Sequence, residues 1–505
     1  MPLVFPSGLM VSVSGFRGTV GDVLTPELMT TLAAGFGAFL REEAAQEAAK
    51  GAQVAGGPGA SGPGAGGPEA GGPEAGGPTG ARITVLLGRD SRTTGAMIEA
   101  AAMAGLQSVG VDVVKLGVVP TPTLLMAVAH HGAAGALGVT ASHNPAQWNA
   151  FKFAGADGTF LDADRMLRFQ AYLREREIPR VTWDQIGEVR DDADAVGRHL
   201  ERILSLPYLD VAAIRARGFH VALDCVHGAG GRMVPQLLET LGCKVHGIGL
   251  EADGRFPRDP EPTAANLGDL GDLVRSTGAE LGFAVDPDVD RLSLVDRTGH
   301  ALGEDLTLAL CADVVLRRVS GPVVTNLSTS RVVEDVARSH DAPFHRAPVG
   351  EINVARRMQA EDAVVGGEGN GGIILPALHL TRDAPVGVAL LLQHLVDTGG
   401  SLAEAAGRWP EYHIVKEKAS FAREKLAVGY ASLEEALPAT EVDRADGLRL
   451  AWPDDGAWLH VRPSGTEPVV RFIAEARTLA KANELVARGR GALNTLAPGS
   501  MDPGA

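Results

Sequence analysis

Apolar positions fall along this chain in two rhythms. Near the N-terminus Thr25-Pro26-Glu27 gives a helix start, with Thr at the cap and Pro in the first turn. Leu28, Leu32, Phe36 and Phe39 then recur at helical spacing. Elsewhere short apolar runs bounded by Gly and polar turns read as strands: Ile83–Leu87, Val111–Leu116, His220–Leu223, Lys244–Ile248, Val323–Asn326 and Pro343–Arg346. Between them come a small-residue helix after the turn Gly88–Arg92, a helix Met233–Leu241 after the glycine-rich turn Gly228–Gly231, and a helix Arg331–Ser339. Strands alternating with helices predict parallel sheets covered by helices, and three such units at wide spacing predict three related domains. From about Trp409 the rhythm changes to strands Leu448–Leu450, Trp458–Val461 and Val469–Ala474 with a helix Leu479–Leu493, a smaller α+β unit.

One stretch has no rhythm. Residues 51–80 are almost wholly Gly, Ala and Pro, with the repeat Ala-Gly-Gly-Pro-Glu. Nothing there fills a core, so a disordered insert is expected. It lies between the first helix and the strand Ile83–Leu87, inside the first domain, where a long loop costs little because closure entropy grows only logarithmically. The expected domains are 1–185, 186–299, 300–408 and 409–497, followed by a tail 498–505.

Composition narrows the class. The chain has 505 residues, 45% of them hydrophobic, enough for three or four domains with large cores. No run of ~18 apolar residues suggests a membrane span, and Met1–Met10 lacks the basic leader of a signal peptide. Cys225, Cys243 and Cys311 are scattered, as reduced thiols of a cytoplasmic protein are, and have no metal-ligand spacing. A net charge of −16 argues against nucleic acid as a partner. A monomer or a homodimer is expected.

Four short motifs carry candidate chemistry. Thr140-Ala141-Ser142-His143-Asn144-Pro145 follows an apolar run and offers a serine nucleophile among small residues, although Ser, Asn and Pro also make ordinary turns. Asp286-Pro287-Asp288-Val289-Asp290-Arg291 lies between two strands. Alternate residues there point the same way, so three carboxylates converge, and hard oxygen ligands favour Mg²⁺. Arg291 beside them is a candidate phosphate ligand. A solvated acidic turn is the other reading. Gly366-Gly367-Glu368-Gly369-Asn370-Gly371-Gly372 lets backbone approach a ligand, with Glu368 and Asn370 able to read hydroxyls. Arg462-Pro463-Ser464-Gly465-Thr466-Glu467-Pro468 offers an arginine fork, the hydroxyls of Ser464 and Thr466, and a turn at Gly465, with Arg471 on the next strand, for phosphate. Taken alone, these two also fit a flexible loop and a hairpin turn.

Together these motifs make a phosphoacceptor serine, a divalent-metal loop, a sugar-reading loop and a phosphate clamp, one on each predicted domain. With all four in this order, the chain resembles the α-D-phosphohexomutase superfamily along nearly its whole length. The resemblance implies an α/β fold of three similar domains with mainly parallel sheets, and a smaller C-terminal α+β domain, around a central cleft. It implies a phosphoserine at Ser142 that joins Asp286, Asp288 and Asp290 in holding one Mg²⁺ per chain. Arg17, His143 and Lys152 match residues near the transferred group, Lys152 for acid/base work. The runs Asn144–Lys152 and Pro348–Val354 are similar to the glucosamine-specific branch, implying exchange between glucosamine 6- and 1-phosphates through a hexose or hexosamine bisphosphate. The sugar loop departs from many relatives, with Asn370 in place of Ser and Gly372 in place of His. A phosphomannomutase/phosphoglucomutase is the alternative. Two rivals of other classes are a metal-dependent phosphomonoesterase and a non-catalytic phosphosugar sensor.

Overall fold

The computed structural model describes residues 2–55, 82–464 and 469–494. The first helix, Pro26–Ala55, continues past Gly51, so the expected insert begins later than its composition suggests. The remainder of that insert, Gly465 and Thr466 of the phosphate motif, and the tail 498–505 lie outside the described residues.

The first three units repeat one plan. The first sheet runs Met10–Ser12, Gly15–Thr19, Trp148–Gly155, Gly135–Val139, Thr84–Arg89, Asp112–Val118, Val189–Asp191, and its last four strands are parallel. Val189–Asp191 pairs here although it follows residue 185. The second sheet orders Leu292–Asp296, Leu281–Val285, His220–Asp224 and Lys244–Ile248. The third orders Phe344–Ala347, Val323–Asn326, Val365–Glu368, Gly372–Leu375 and His379–Arg382. In each, a parallel strand ends in a motif loop and an antiparallel strand returns beside it: Gly135–Val139 to Trp148–Gly155, Leu281–Val285 to Leu292–Asp296, and Val365–Glu368 to Gly372–Leu375. The serine, the aspartates and the glycine run thus occupy the same topological place, at carboxyl ends of strands, where α/β sheets bind ligands.

Packing divides the chain differently from topology. One apolar core is continuous through all three units, taking in Leu124 and Val128 from the first, Val221, Leu237 and Phe283 from the second, and Leu308, Val333 and Leu391 from the third. The far face of the first sheet has its own core, centred on edge-to-face rings of Phe16, Phe36, Phe153 and Phe169 with centroids 4.9–6.0 Å apart.

The C-terminal unit is a five-stranded antiparallel sheet backed by the helix Leu479–Asn494. It closes a separate core around Leu433, Leu459 and Phe472. It meets the third unit through polar contacts: Ser328 Oγ with His460 Nδ1 at 2.8 Å, Arg331 N donating to Glu475 at 2.9 Å, and Arg449 Nε donating to the Leu327 carbonyl at 3.1 Å. The three cysteines are buried and unpaired, and among the described residues no helix is long and apolar enough to cross a membrane.

Candidate active site

Ser142 sits in left-handed backbone with φ 48°, a conformation a serine keeps only when its surroundings hold it. They do so from inside. The Arg92 guanidinium, 1% exposed, donates to four carbonyls of this loop: Ser142 and Asn144 at 2.6 Å, Pro145 at 2.7 Å and Trp148 at 3.0 Å. Its Nε donates to Asp90 at 3.0 Å. Asp90 in turn accepts from the Thr140 hydroxyl at 2.7 Å, which accepts the Ser142 amide at 2.9 Å. Arg92 and Asp90 lie in the segment Gly88–Arg92, which the sequence marks only as a turn. Their burial is what reveals them.

The serine hydroxyl leaves its own unit and donates to Asp286 Oδ2 at 3.0 Å. The other oxygen of Asp286 accepts the amides of Asp290 and Arg291, at 3.0 and 3.1 Å, closing the aspartate loop on itself. Val289 at the tip has φ 63°, unusual for a β-branched side chain, and the fold clamps it: Ala384 N donates to its carbonyl. Carboxylate oxygens of Asp286, Asp288 and Asp290 lie within 4.8 Å of one another, all buried. Burial, then Asp290 and Asp288, pushes the Asp286 carboxyl well above its ordinary value. Burial would raise Asp288 too, but the charge and hydrogen bond of Lys152 outweigh it and hold it low. The Lys152 ammonium donates to Asp288 Oδ2 at 2.7 Å and stays charged, since Asp288 and Asp290 overcome its own desolvation. Thr121 fixes Asp288 twice, through its amide to the carbonyl and its hydroxyl to Oδ2.

Asp288 Oδ1 and Asp290 Oδ1 are buried and accept no hydrogen bond. Orphaned carboxylate oxygens carry a large desolvation cost. Three carboxylates with two such oxygens fit a small dication of hard-oxygen preference, and the donor set is that of Mg²⁺.

Around the serine, His143 Nδ1 stands 3.4 Å from Ser142 Oγ, and Arg17 donates to Asn144 Oδ1 at 2.6 Å. Burial, with Arg291 and Arg17 nearby, keeps the His143 imidazole neutral well below its usual pKa. Arg291 Nη1 donates to Glu261 at 2.8 Å.

The glycine run is a tight hairpin, Val365–Glu368 paired with Gly372–Leu375, with protein backbone close to its glycines. A Cβ on Gly371, at φ 82°, would meet the Leu292 carbonyl oxygen at 2.3 Å, because the hairpin is fastened there by the bond from Leu292 N to Gly371 O. Glu368 is buried, accepting from Asn326 at 2.8 Å, the Gly350 amide at 3.0 Å and Arg382 at 2.9 Å. Asn370 is half-buried and accepts the Gly372 amide at 3.2 Å.

Arg382 is the other residue the motifs do not announce. It is 8% exposed and donates to Asp290, to Glu368 and, by Nε at 3.2 Å, to Glu351. Its neighbour Asp383 is braced by two imidazoles, His199 and His379, whose Nε2 atoms lie 2.8 and 2.7 Å from one carboxylate oxygen. In the C-terminal unit Arg462 Nε donates to Asp446 at 2.8 Å, and Asp446 also accepts the Val349 amide, so this arginine reaches the third unit beside Gly350 and Glu368. Ser464 is buried, its amide donating to the Val469 carbonyl at 2.8 Å, and Arg471 lies exposed opposite Arg462 on the paired strand.

Comparisons with known proteins agree with this arrangement. The family described as phosphoglucomutase/phosphomannomutase matches by its alpha/beta/alpha domains I, II and III over residues 75–177, 198–299 and 303–412, and by its C-terminal domain over 422–491. A phosphoglucomutase/phosphomannomutase of Thermococcus kodakarensis is 33% identical over 486 residues, covering 95% of this chain and 98% of its own. A probable phosphoglucosamine mutase of Methanopyrus kandleri is 34% identical over 484 residues, covering 95% and 96%. Among solved structures, a phosphoglucomutase/phosphomannomutase family protein from Burkholderia thailandensis superposes with a TM-score of 0.78 at 25% identity, covering 98% of this chain and 100% of that one.

Proposed function

This chain belongs to the phosphoglucomutase/phosphomannomutase family, a phosphohexomutase and hence an isomerase, and on that premise we propose that it interconverts glucosamine 6-phosphate and glucosamine 1-phosphate through a phosphorylated Ser142 and a bisphosphate intermediate. The observation that carries the reading is the meeting of Ser142 Oγ with the aspartate loop of the next unit, 3.0 Å from Asp286. A phosphoryl group on that oxygen faces three carboxylates, which only a cation between them makes tolerable. Mg²⁺ held by Asp286, Asp288 and Asp290, with a phosphoserine oxygen, supplies charge stabilisation to the group in transfer.

The chain's own residues do the rest. Ser142 gives its phosphoryl to the free hydroxyl of the bound sugar phosphate. The P–Oγ bond breaks, a bond to the sugar oxygen forms, and the hydroxyl proton replaces the phosphoryl on Ser142 in the net balance. Lys152, charged, acts as the acid toward the departing serine oxygen. His143, neutral, keeps a lone pair that can accept the sugar hydroxyl proton. Arg17 steadies the loop through Asn144. Arg462, Ser464, Gly465 and Thr466, with Arg471, hold the phosphate that is not reacting. Arg291 joins them on exchanging Glu261 for phosphate. The bisphosphate then turns over and returns its other phosphoryl to Ser142.

For the sugar, Glu368 and Asn370 read hydroxyls, and the Glu351–Glu368 pair has two carboxylates to the one guanidinium of Arg382. Burial would raise Glu368, but Arg382 and Asn326 hold it low, so it is the carboxylate that favours an amino sugar, while burial pushes Glu351 up to about 7. The Methanopyrus relative supports the same choice, and the Thermococcus relative supports glucose or mannose phosphates as the second reading. Coupled assays with glucosamine 6-phosphate, glucose 1-phosphate and mannose 1-phosphate decide between them. A parallel phosphate-release assay must stay flat, since a phosphomonoesterase would liberate phosphate. Turnover highest on a hexose phosphate overturns the amino-sugar choice.

A further inference from the structure

We propose that Arg382 is a positioning residue that transmits occupancy of the aspartate loop to the sugar hairpin, an inference that rests on the reading of Asp286, Asp288 and Asp290 as the Mg²⁺ site. One buried guanidinium serves three carboxylates from three segments. Asp290 comes from the aspartate loop, Glu368 from the end of the hairpin's first strand, and Glu351 from the start of the helix Glu351–Ala360. Its planar fork gives each a separate nitrogen: Nη2, Nη1 and Nε.

The backbones on either side are already tied. Leu292 N donates to Gly371 O at 3.0 Å and Ala384 N to Val289 O at 3.2 Å. Asp383, next in sequence, is pinned by His199 and His379. The hairpin and the aspartate loop are therefore tied through backbone, and the arginine side chain between them holds three partners at once, any of which its charge can favour over the others.

That choice changes when a cation arrives. Without one, Asp290 leans on Arg382, and the next cations, the Arg291 guanidinium and the Lys152 ammonium, are 3.8 and 3.9 Å away. A dication bound by Asp290 takes over that charge, and the Arg382 field falls on Glu351 and Glu368 instead. Glu368 is thereby held more firmly against the arginine, and the Gly369–Gly371 turn that follows it is stiffened. Because linkage is reciprocal, filling the hairpin with sugar favours the cation in return. A residue that only filled space would carry no such message.

The test needs no substrate and no turnover. Amide hydrogen exchange is measured on the full chain, freed of metal by chelation, with and without saturating Mg²⁺. Two peptides are followed, one spanning residues 285–292 and one spanning 365–375. In wild type both slow on adding Mg²⁺, the hairpin by about fivefold, the low end of typical coupling. In R382K the lysine keeps the charge but cannot bridge three carboxylates. The 285–292 peptide still responds and the hairpin does not. E351Q gives a second arm should R382K fold poorly. Removing one competitor leaves Arg382 to Glu368, so the hairpin response exceeds that of wild type. A hairpin that responds in R382K as in wild type, or an E351Q response equal to wild type, overturns the proposal. A wild-type hairpin that stays silent while 285–292 responds overturns it alone. Silence of both overturns the metal assignment and the proposal with it.

Discussion

Replacing Arg92 by Met removes the guanidinium that holds the serine loop while keeping a side chain of similar length. The largest loss concerns Asp90, 1% exposed, whose carboxylate then keeps only the Thr140 hydroxyl and the amide of residue 92. Burial already pushes the Asp90 carboxyl up, against the pull of Arg92. Without that pull the folded variant takes up a proton instead of burying a bare charge. Protonating a carboxyl of ordinary pKa ~3.9 costs about 1.4 kcal/mol per pH unit, hence at most about 4 kcal/mol at pH 7 and about 1.5 kcal/mol at pH 5, and the difference from wild type is smaller because burial raises the wild-type carboxyl too. The sign follows from a folded-state pKa raised above the unfolded one. That contribution is fully present below the unfolded value and is lost as pH rises, so the penalty relative to wild type grows from pH 5 to pH 7. Four carbonyls losing a donor add a pH-independent part of about 1 kcal/mol each. Urea unfolding at the two pH values reads the difference, and D90N/R92M should abolish most of the pH-dependent part. The reasoning fails if the R92M penalty is the same at pH 5 and pH 7, or if the double variant is no more stable than R92M.

The remaining expectations concern the chemistry. Purified protein should carry one phosphate on the peptide containing Ser142, and S142A should lose nearly all mutase turnover while still binding phosphosugar by calorimetry; near-wild-type turnover of S142A would end the phosphoserine reading. D288N should weaken Mg²⁺ binding and cut turnover by orders of magnitude, because Asp288 also anchors Lys152; full activity after exhaustive chelation would contradict the metal role. N370S should shift the preference between glucosamine and glucose phosphates by about tenfold, the worth of one buried hydrogen bond of ~1–3 kcal/mol, and an unchanged ratio would move sugar choice to Glu351 and Glu368.

The repeated α/β plan was legible because buried parallel strands leave short apolar runs. Val323–Asn326 and Arg331–Ser339 occur as the pattern has them. The meeting of carboxylates at Asp286, Asp288 and Asp290 was legible too, since alternate residues of a short loop between strands have few other places to point. Arg92, Asp90 and Arg382 were not. A lone arginine in a polar turn looks solvent-exposed until distant segments close over it, and its partners lie as far as 92 residues away for Arg382 and Asp290. The glycine run was legible only in part, for a related reason. Close approach was read correctly, but what comes close to Gly371 is the Leu292 backbone of the neighbouring unit, which no local pattern contains.

The C-terminal unit keeps its own core and leans on the third unit through Ser328–His460, Arg331–Glu475 and Arg449–Leu327. Swinging it aside exchanges these hydrogen bonds for water and uncovers Trp458, which is fully buried on the same face as His460 and donates to Glu475 at 2.8 Å. Such a motion carries the heat-capacity change and denaturant dependence of exposing that indole, less than melting a whole core. Its seam with the third unit is built of hydrogen bonds and one indole, whereas the other three units share one continuous apolar core. In the proposed reaction, a bisphosphate that turns end for end gains from that division. On that reading the fourth unit is the part free to shift, while the shared core keeps Ser142 Oγ beside Asp286.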